Sequence, residues 1–195
     1  MSNQLKYIVF ISSCCLTVPI AAETYTIDSQ HSFANWQVRH LVSKVAGTFH
    51  QLSGTIAFNP NQLEASKVFV TIDILSLNSD HQERDAHLLS ADFLDALQFR
   101  EIRFTSQSVK KTSEDSGVLK GELTLHGVTK TIEFPFRILG IGKNPATNQT
   151  TVGFEAYTSL KRSDYNIIIG LNESKTAPIG DEIAINLLIE AVKQK

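Results

Sequence analysis

The chain has 195 residues, 42% of them hydrophobic, and a formal net charge of −2 from 18 basic and 20 acidic side chains. That length suits one domain with a sizeable core, and the charge balance argues against a nucleic-acid or anionic-membrane partner. Both cysteines, Cys14 and Cys15, sit near the N-terminus, so the body of the chain offers neither a disulfide nor a thiol nucleophile.

The first 22 residues read as a signal peptide for export. Lys6 precedes an apolar run through Ile20, and the small residues Ala21 and Ala22 precede Glu23. Cleavage is expected after Ala22, leaving 23–195 as the mature domain. Two rivals stand beside this reading. A retained anchor must contend with Ser12, Ser13 and Pro19 inside the apolar run, and a lipoprotein signal at Cys14 has a poorly matching Ser13 directly before the cysteine.

From there the chain reads as strand after strand. Over 24–40, Ala34, Trp36, Val38 and His40 share one face, with Asn35, Gln37 and Arg39 on the other; Phe33 joins the polar face, as if to cover an edge or pack beneath a helix. The run 45–58 has Ile56 and Phe58 on one face, with Gly47 and Gly54 suggesting bulges or bends before the turn Asn59-Pro60-Asn61. Val68, Val70, Ile72 and Ile74 alternate with Phe69, Thr71 and Asp73.

The stretch 79–106 interrupts this pattern. Ser79 with Gln82 forms a capping box, and Asp80, Glu83 and Asp85 place acid in the first turns, so a helical insertion is predicted over about 80–97. Leu89, Phe93 and Leu97 could form its apolar stripe, although Ser90 and Asp92 could equally cap a second short turn.

Strand resumes at Ile102 and Phe104 and runs to about Lys110, followed by a polar hairpin loop over 111–117. Leu119, Leu123 and Leu125 lead into a two-residue turn at His126-Gly127, and Ile132, Phe134 and Phe136 return, with Pro135 marking an edge or bulge. A loop is predicted over 140–149. Val152, Phe154, Ala156 and Thr158 alternate, 165–180 is irregular, and Ile183, Ile185, Leu187 and Ile189 form the last inward row. About eight strands with short connections favour an all-β, eight-stranded antiparallel barrel with one helical insertion. Its inward rows are apolar. An open lumen would therefore take an apolar ligand.

Catalytic and metal signals are weak. The six histidines lack metal-ligand spacing, and the chain contains no nucleophile elbow, P-loop or dinucleotide fingerprint. No metal, cofactor or catalytic residue is expected. The competing enzyme reading, a lipid hydrolase or isomerase with His40 or His87 as base, rests only on histidines near a possible pocket. Arg84-Asp85 and Arg162-Ser163-Asp164 are read first as structural pairs and second as groups holding a polar head at the barrel mouth.

Taken in order, these pieces resemble the YceI-like family of exported, lipocalin-like proteins over 25–191. The resemblance lies in Asp28-Ser29-Gln30-His31-Ser32, Val38-Arg39-His40-Leu41, and Ser43-Lys44-Val45-Ala46-Gly47-Thr48-Phe49 with Ser53-Gly54. It continues in Arg84-Asp85-Ala86-His87-Leu88, Asp92-Phe93, Ile102-Arg103-Phe104-Thr105-Ser106, the stretch 121–130, and Lys161-Arg162-Ser163-Asp164-Tyr165. Two positions depart from the family pattern: Arg100 stands where proline is common, and Asn166 where glycine often follows the aromatic residue.

The resemblance implies an elongated lipocalin-like barrel in the periplasm whose lumen binds a polyisoprenoid chain, with no catalytic residues. On that reading the ligand-binding residues are Trp36, Val38, His40, Ile56, Phe58, Phe104 and Phe154, with Arg84 and Arg162 at the mouth. The expected partner is an isoprenoid lipid, with transient contact at the inner membrane. An isoprenoid-quinone carrier linked to membrane electron transfer is the alternative, and a ligand-free structural or stress-response protein with a filled barrel is the third.

Overall fold

The computed structural model describes residues 22–171 and 177–195. The expected signal peptide, with Cys14 and Cys15, therefore lies outside the described residues except for Ala22. Among the described residues, alternation of apolar and polar residues produces eleven strand segments. These are β1 (Glu23–Ile27), β2 (Phe33–His40), β3 (Ser43–Phe49), β4 (Leu52–Phe58), β5 (Lys67–Asp73), β6 (Leu77–Asn78) and β7 (Glu101–Lys111). They continue as β8 (Ser116–Leu125), β9 (Val128–Lys143), β10 (Thr150–Lys161) and β11 (Ile179–Lys193), with an α-helix, α1 (Gln82–Leu89), between β6 and β7.

Six of the segments are halves of bent strands. Both β1 and β2 pair with β11; β4 and β3 pair with β1 and β2; and β5 and β6 pair with β4 and β3. Counted as whole strands, the sheet is a closed eight-stranded antiparallel barrel, each strand beside its sequence neighbour and the last beside the first. Closure removes the free edges of an open sheet, apart from the short β6 and the stretch where β9 and β10 part.

The bend between β1 and β2 is held by side chains standing in for backbone. Buried Ser32 accepts from the Glu190 amide at 3.0 Å and donates to the Glu190 carbonyl at 3.2 Å, so the ladder continues through the kink. Asp28 accepts from the Gln30 amide and from His31 Nδ1, each at 2.9 Å. Gly47 and Gly54, expected as bulges or bends, form no bulge, for the register runs unbroken through both. Their reason is close approach: a Cβ at Gly54 (φ +143°) would lie 2.0 Å from the Phe69 carbonyl oxygen, and one at Gly47 2.4 Å from the Trp36 indole. Phe33 is half-buried and meets His50 edge-on at 6.1 Å.

Two connections depart from the alternation. Residues His126 (φ 49°) and Gly127 (φ 73°) form the expected tight turn, both left-handed, as the twist of the flanking strands favours. The β9–β10 ladder, by contrast, runs from Lys143 only to Phe136. It stops beside Pro135, which has no N–H to donate. Below that point β9 stays on β8 and β10 on β11, and a 3-10 turn at Arg162–Tyr165 fills the slot. His126 Nδ1 holds the Tyr165 carbonyl at 3.0 Å, and Lys130 Nζ pairs with Asp164 at 2.8 Å. Asn166, at the usual glycine position, adopts the left-handed conformation that asparagine tolerates (φ 60°). The loop expected over 140–149 is shorter, because β9 extends to Lys143.

The helix is also shorter than the predicted 80–97. Asp80 has a positive φ of 60°, so it lies outside the helix, and His81 is the N-cap, its Nδ1 accepting from the Arg84 amide at 3.3 Å. Ser90 ends it by donating to the His87 carbonyl at 2.7 Å, and the chain continues in turns. The three-residue stripe therefore breaks: Phe93 is buried, whereas Leu97 is 95% exposed.

Candidate functional site

The inward rows enclose a cavity of about 530 Å³, within the range of small-molecule sites. Trp36 and Val38 reach it from β2, Ile56 and Phe58 from β4, Phe104 from β7 and Phe154 from β10. Each follows the period-two alternation of its strand. His40, Arg84 and Arg162 also line it, so all nine residues named from the sequence border one space.

The two ends of that space differ. One end lies at the β4–β5 connection, where Leu63, 1% exposed, tucks under the strands. There Phe58 meets Phe154 edge-on at 5.3 Å and Tyr25 at 6.0 Å, which stoppers the lumen with interlocked rings. At the other end lie the β2–β3 turn, α1 and the connection from β10 to β11. Among the lining residues described, the exposed ones are His40 and His87, both at this end, which is the mouth.

The charged groups at the mouth have defined partners. Arg84 Nε donates to Ser79 Oγ at 2.7 Å and its Nη2 to the Ser79 carbonyl, while Asp85 accepts from the Ser79 amide at 3.0 Å. Arg84 and Asp85 thus meet through Ser79. Arg162 is 2% exposed and donates from Nε, Nη1 and Nη2 to four backbone carbonyls, those of Gly180, Ile167, Ile169 and Ile179, at 2.7–3.2 Å. Those bonds fasten the β10–β11 connection. Burial pushes the guanidinium below its ordinary value, partly offset by Asp181, whose carboxylate is itself engaged by Ser163. His87 Nε2 lies 3.3 Å from Asp92. Glu155 borders the cavity, but its carboxylate accepts from the exposed Tyr157 at 2.6 Å.

Tyr165, part of the motif at 161–165, was not expected to line the lumen, yet it borders the cavity at 1% exposure. No periodicity could reveal it, because it enters through the slot between β9 and β10 rather than from a strand. Burial, with a smaller contribution from Asp164, holds its phenol above the usual tyrosine value, so it stays protonated. The metal-ligating types also gather in one place that spacing did not indicate. Ligand atoms of Asp28, His31 and Glu190 lie within 4.8 Å of one another at the β1–β2 bend, away from the cavity lining.

A model of the YceI-like domain matches residues 25–191. The chain belongs to the YceI-like family. The YceI protein of Escherichia coli O17:K52:H18 is 36% identical over 198 residues, covering all of both chains. Among solved structures, Burkholderia cenocepacia BcnA superposes with a TM-score of 0.72 at 22% identity, covering 84% of this chain and 98% of its own. A polyisoprenoid-binding domain from Saccharophagus degradans, implicated in plant cell wall breakdown, has a TM-score of 0.67 at 16% identity, covering 87% and 98%. The YceI-like barrel is therefore the fold of this chain.

Proposed function

We propose that this YceI-like protein is a non-catalytic carrier that holds an isoprenoid lipid in its lumen, and that it works in the periplasm. The observation that carries this reading is the cavity itself, closed at one end, open at the other and walled by Val, Ile, Leu and Phe. Each CH₂ buried there contributes about 0.8 kcal/mol, so a tail of several prenyl units gains on the order of 10 kcal/mol before the cost of ordering it. The fold shared with a polyisoprenoid-binding domain supports the same ligand class.

The outer rows support a water-soluble carrier. Lys120 and Glu122 on β8 and Arg103 on β7 are exposed, while Leu119, Leu123 and Phe104 between them are buried. A transmembrane barrel has the opposite arrangement. Among the described residues, no helix is long and apolar enough to cross a membrane. The apolar rows grip a tail without distinguishing its head, so a polyprenyl lipid and an isoprenoid quinone both suit them.

The test is native mass spectrometry of the mature protein from its own cell envelope, followed by solvent extraction of whatever it holds. A prenyl lipid at near-stoichiometric amount is the expected result. An empty protein that also refuses added prenyl lipids would overturn the reading. Turnover of a prenyl ester that disappears in His40→Ala or His87→Ala would replace the carrier with an enzyme.

A further inference from the structure

The wall of the lumen holds two hydrogen-bond donors that the fold leaves unused. Trp36 Nε1 and Tyr165 Oη are both buried, both belong to residues lining the cavity, and neither has a hydrogen-bond partner among the described residues. A buried polar group without a partner costs about 1–3 kcal/mol, and such groups are rare in native proteins. Elsewhere the same fold avoids this cost with care, as Ser32 does at the β1–β2 bend and Arg162 does with its four carbonyls.

We propose that Trp36 and Tyr165 form a headgroup subsite inside the lumen, which recognises oxygen acceptors on the ligand. This deepens the carrier reading and rests on it. The indole N–H can only donate, and the protonated phenol donates as well, so the complementary ligand atoms are acceptors. The two come from different elements. Trp36 comes from β2, laid across Gly47, while Tyr165 enters through the β9–β10 slot with its carbonyl tied to His126. In strand order only β10 and β11 separate them, so the two donors lie on one side of the barrel and suit a head whose acceptors face that side.

Two heads carry such acceptors, a quinone ring and a phosphate. Arg162 bears on the choice. Three residues from Tyr165, it lines the same cavity with a cationic guanidinium bonded to carbonyls rather than to a carboxylate. Its donors are largely used, so it adds positive potential more than further hydrogen bonds. The third unpartnered atom, Thr151 Oγ1, belongs to a residue outside the cavity lining and has no part in this site.

The test compares three probes that share one prenyl tail, a prenylquinone, a prenyl monophosphate and the head-free hydrocarbon, on delipidated protein. Trp36 is the single tryptophan, so its emission reports occupancy of the lumen directly. Tyr165→Phe removes only the hydroxyl. It is expected to weaken the headed probes about tenfold, to leave the hydrocarbon unchanged, and to unfold no earlier than wild type when empty. Trp36→Phe, followed by ligand-induced thermal stabilisation, is expected to do the same.

Whichever headed probe loses more identifies the natural head. Equal losses for all three probes, or no loss for any, would overturn the subsite and leave the carrier intact. Failure of wild type to bind any probe would overturn both.

Discussion

The stoppered end of the barrel and its mouth are made from the same strands, yet they treat buried polar atoms differently. At the stopper, the buried Asn59 amide donates to Ser66 Oγ at 3.3 Å, and the space is filled by Tyr25, Phe58, Leu63 and Phe154. Nearer the mouth, packing gives way to a network that holds loops, with Arg84 on Ser79 and Arg162 on four carbonyls, and two donors are left over. The difference teaches that one end is built for packing, whereas the other, on the carrier reading, is built for recognition.

Substitutions can break that contrast, and the largest effect belongs to the stopper. Phe58→Ala should cost about 3–5 kcal/mol in denaturant unfolding, through lost transfer energy and the cavity left beside Phe154. Were the cost small, the stopper would not be the stabilising end. Arg162→Met comes next, because four carbonyls lose their donor at once. A loss of about 2–4 kcal/mol is expected, with Arg162→Lys recovering only part of it.

Trp36→Ala should leave a folded protein that retains about tenfold less lipid after purification, corresponding to 1.4 kcal/mol, whereas the exposed Lys111→Ala retains it all. Extraction and quantitation of the bound lipid decide this. Equal retention in the two variants would remove Trp36 from the site.

The smallest effect lies outside the lumen, at the β1–β2 bend. The hydrogen bond to Asp28 raises His31 above its ordinary 6.5, and His31 in turn lowers Asp28 below 3.8. The raised histidine contributes fully below 6.5 and fades as pH rises through its folded value; the lowered aspartate contributes above 3.8 and fades as pH falls. The pair therefore supports the bend most between those limits. An NMR titration of His31 should show an elevated midpoint that returns to the ordinary value in Asp28→Asn. An unchanged midpoint in that variant would assign the shift to another group.

Residue periodicity carried far into this structure. The rows through Trp36, Val70, Leu123, Phe154 and Leu187 all face the lumen, because a strand exposes alternate side chains to opposite faces and only one face of a closed sheet is dry. The tight turn at His126-Gly127 and the edge signal at Pro135 were legible for equally local reasons, left-handed φ and a missing N–H. The helix was legible in kind but not in extent, since its end depends on Ser90 turning back to the His87 carbonyl.

The sequence by itself determined a closed antiparallel barrel, its apolar interior and the family to which it belongs, because these follow from alternation, turn chemistry and the order of short motifs. Only the tertiary structure decided which end is stoppered, that Arg162 is consumed by backbone carbonyls, and that Tyr165 reaches the lumen through a gap in the wall. Those outcomes depend on side chains from irregular segments meeting strands far away in sequence, and no local pattern records where such meetings occur.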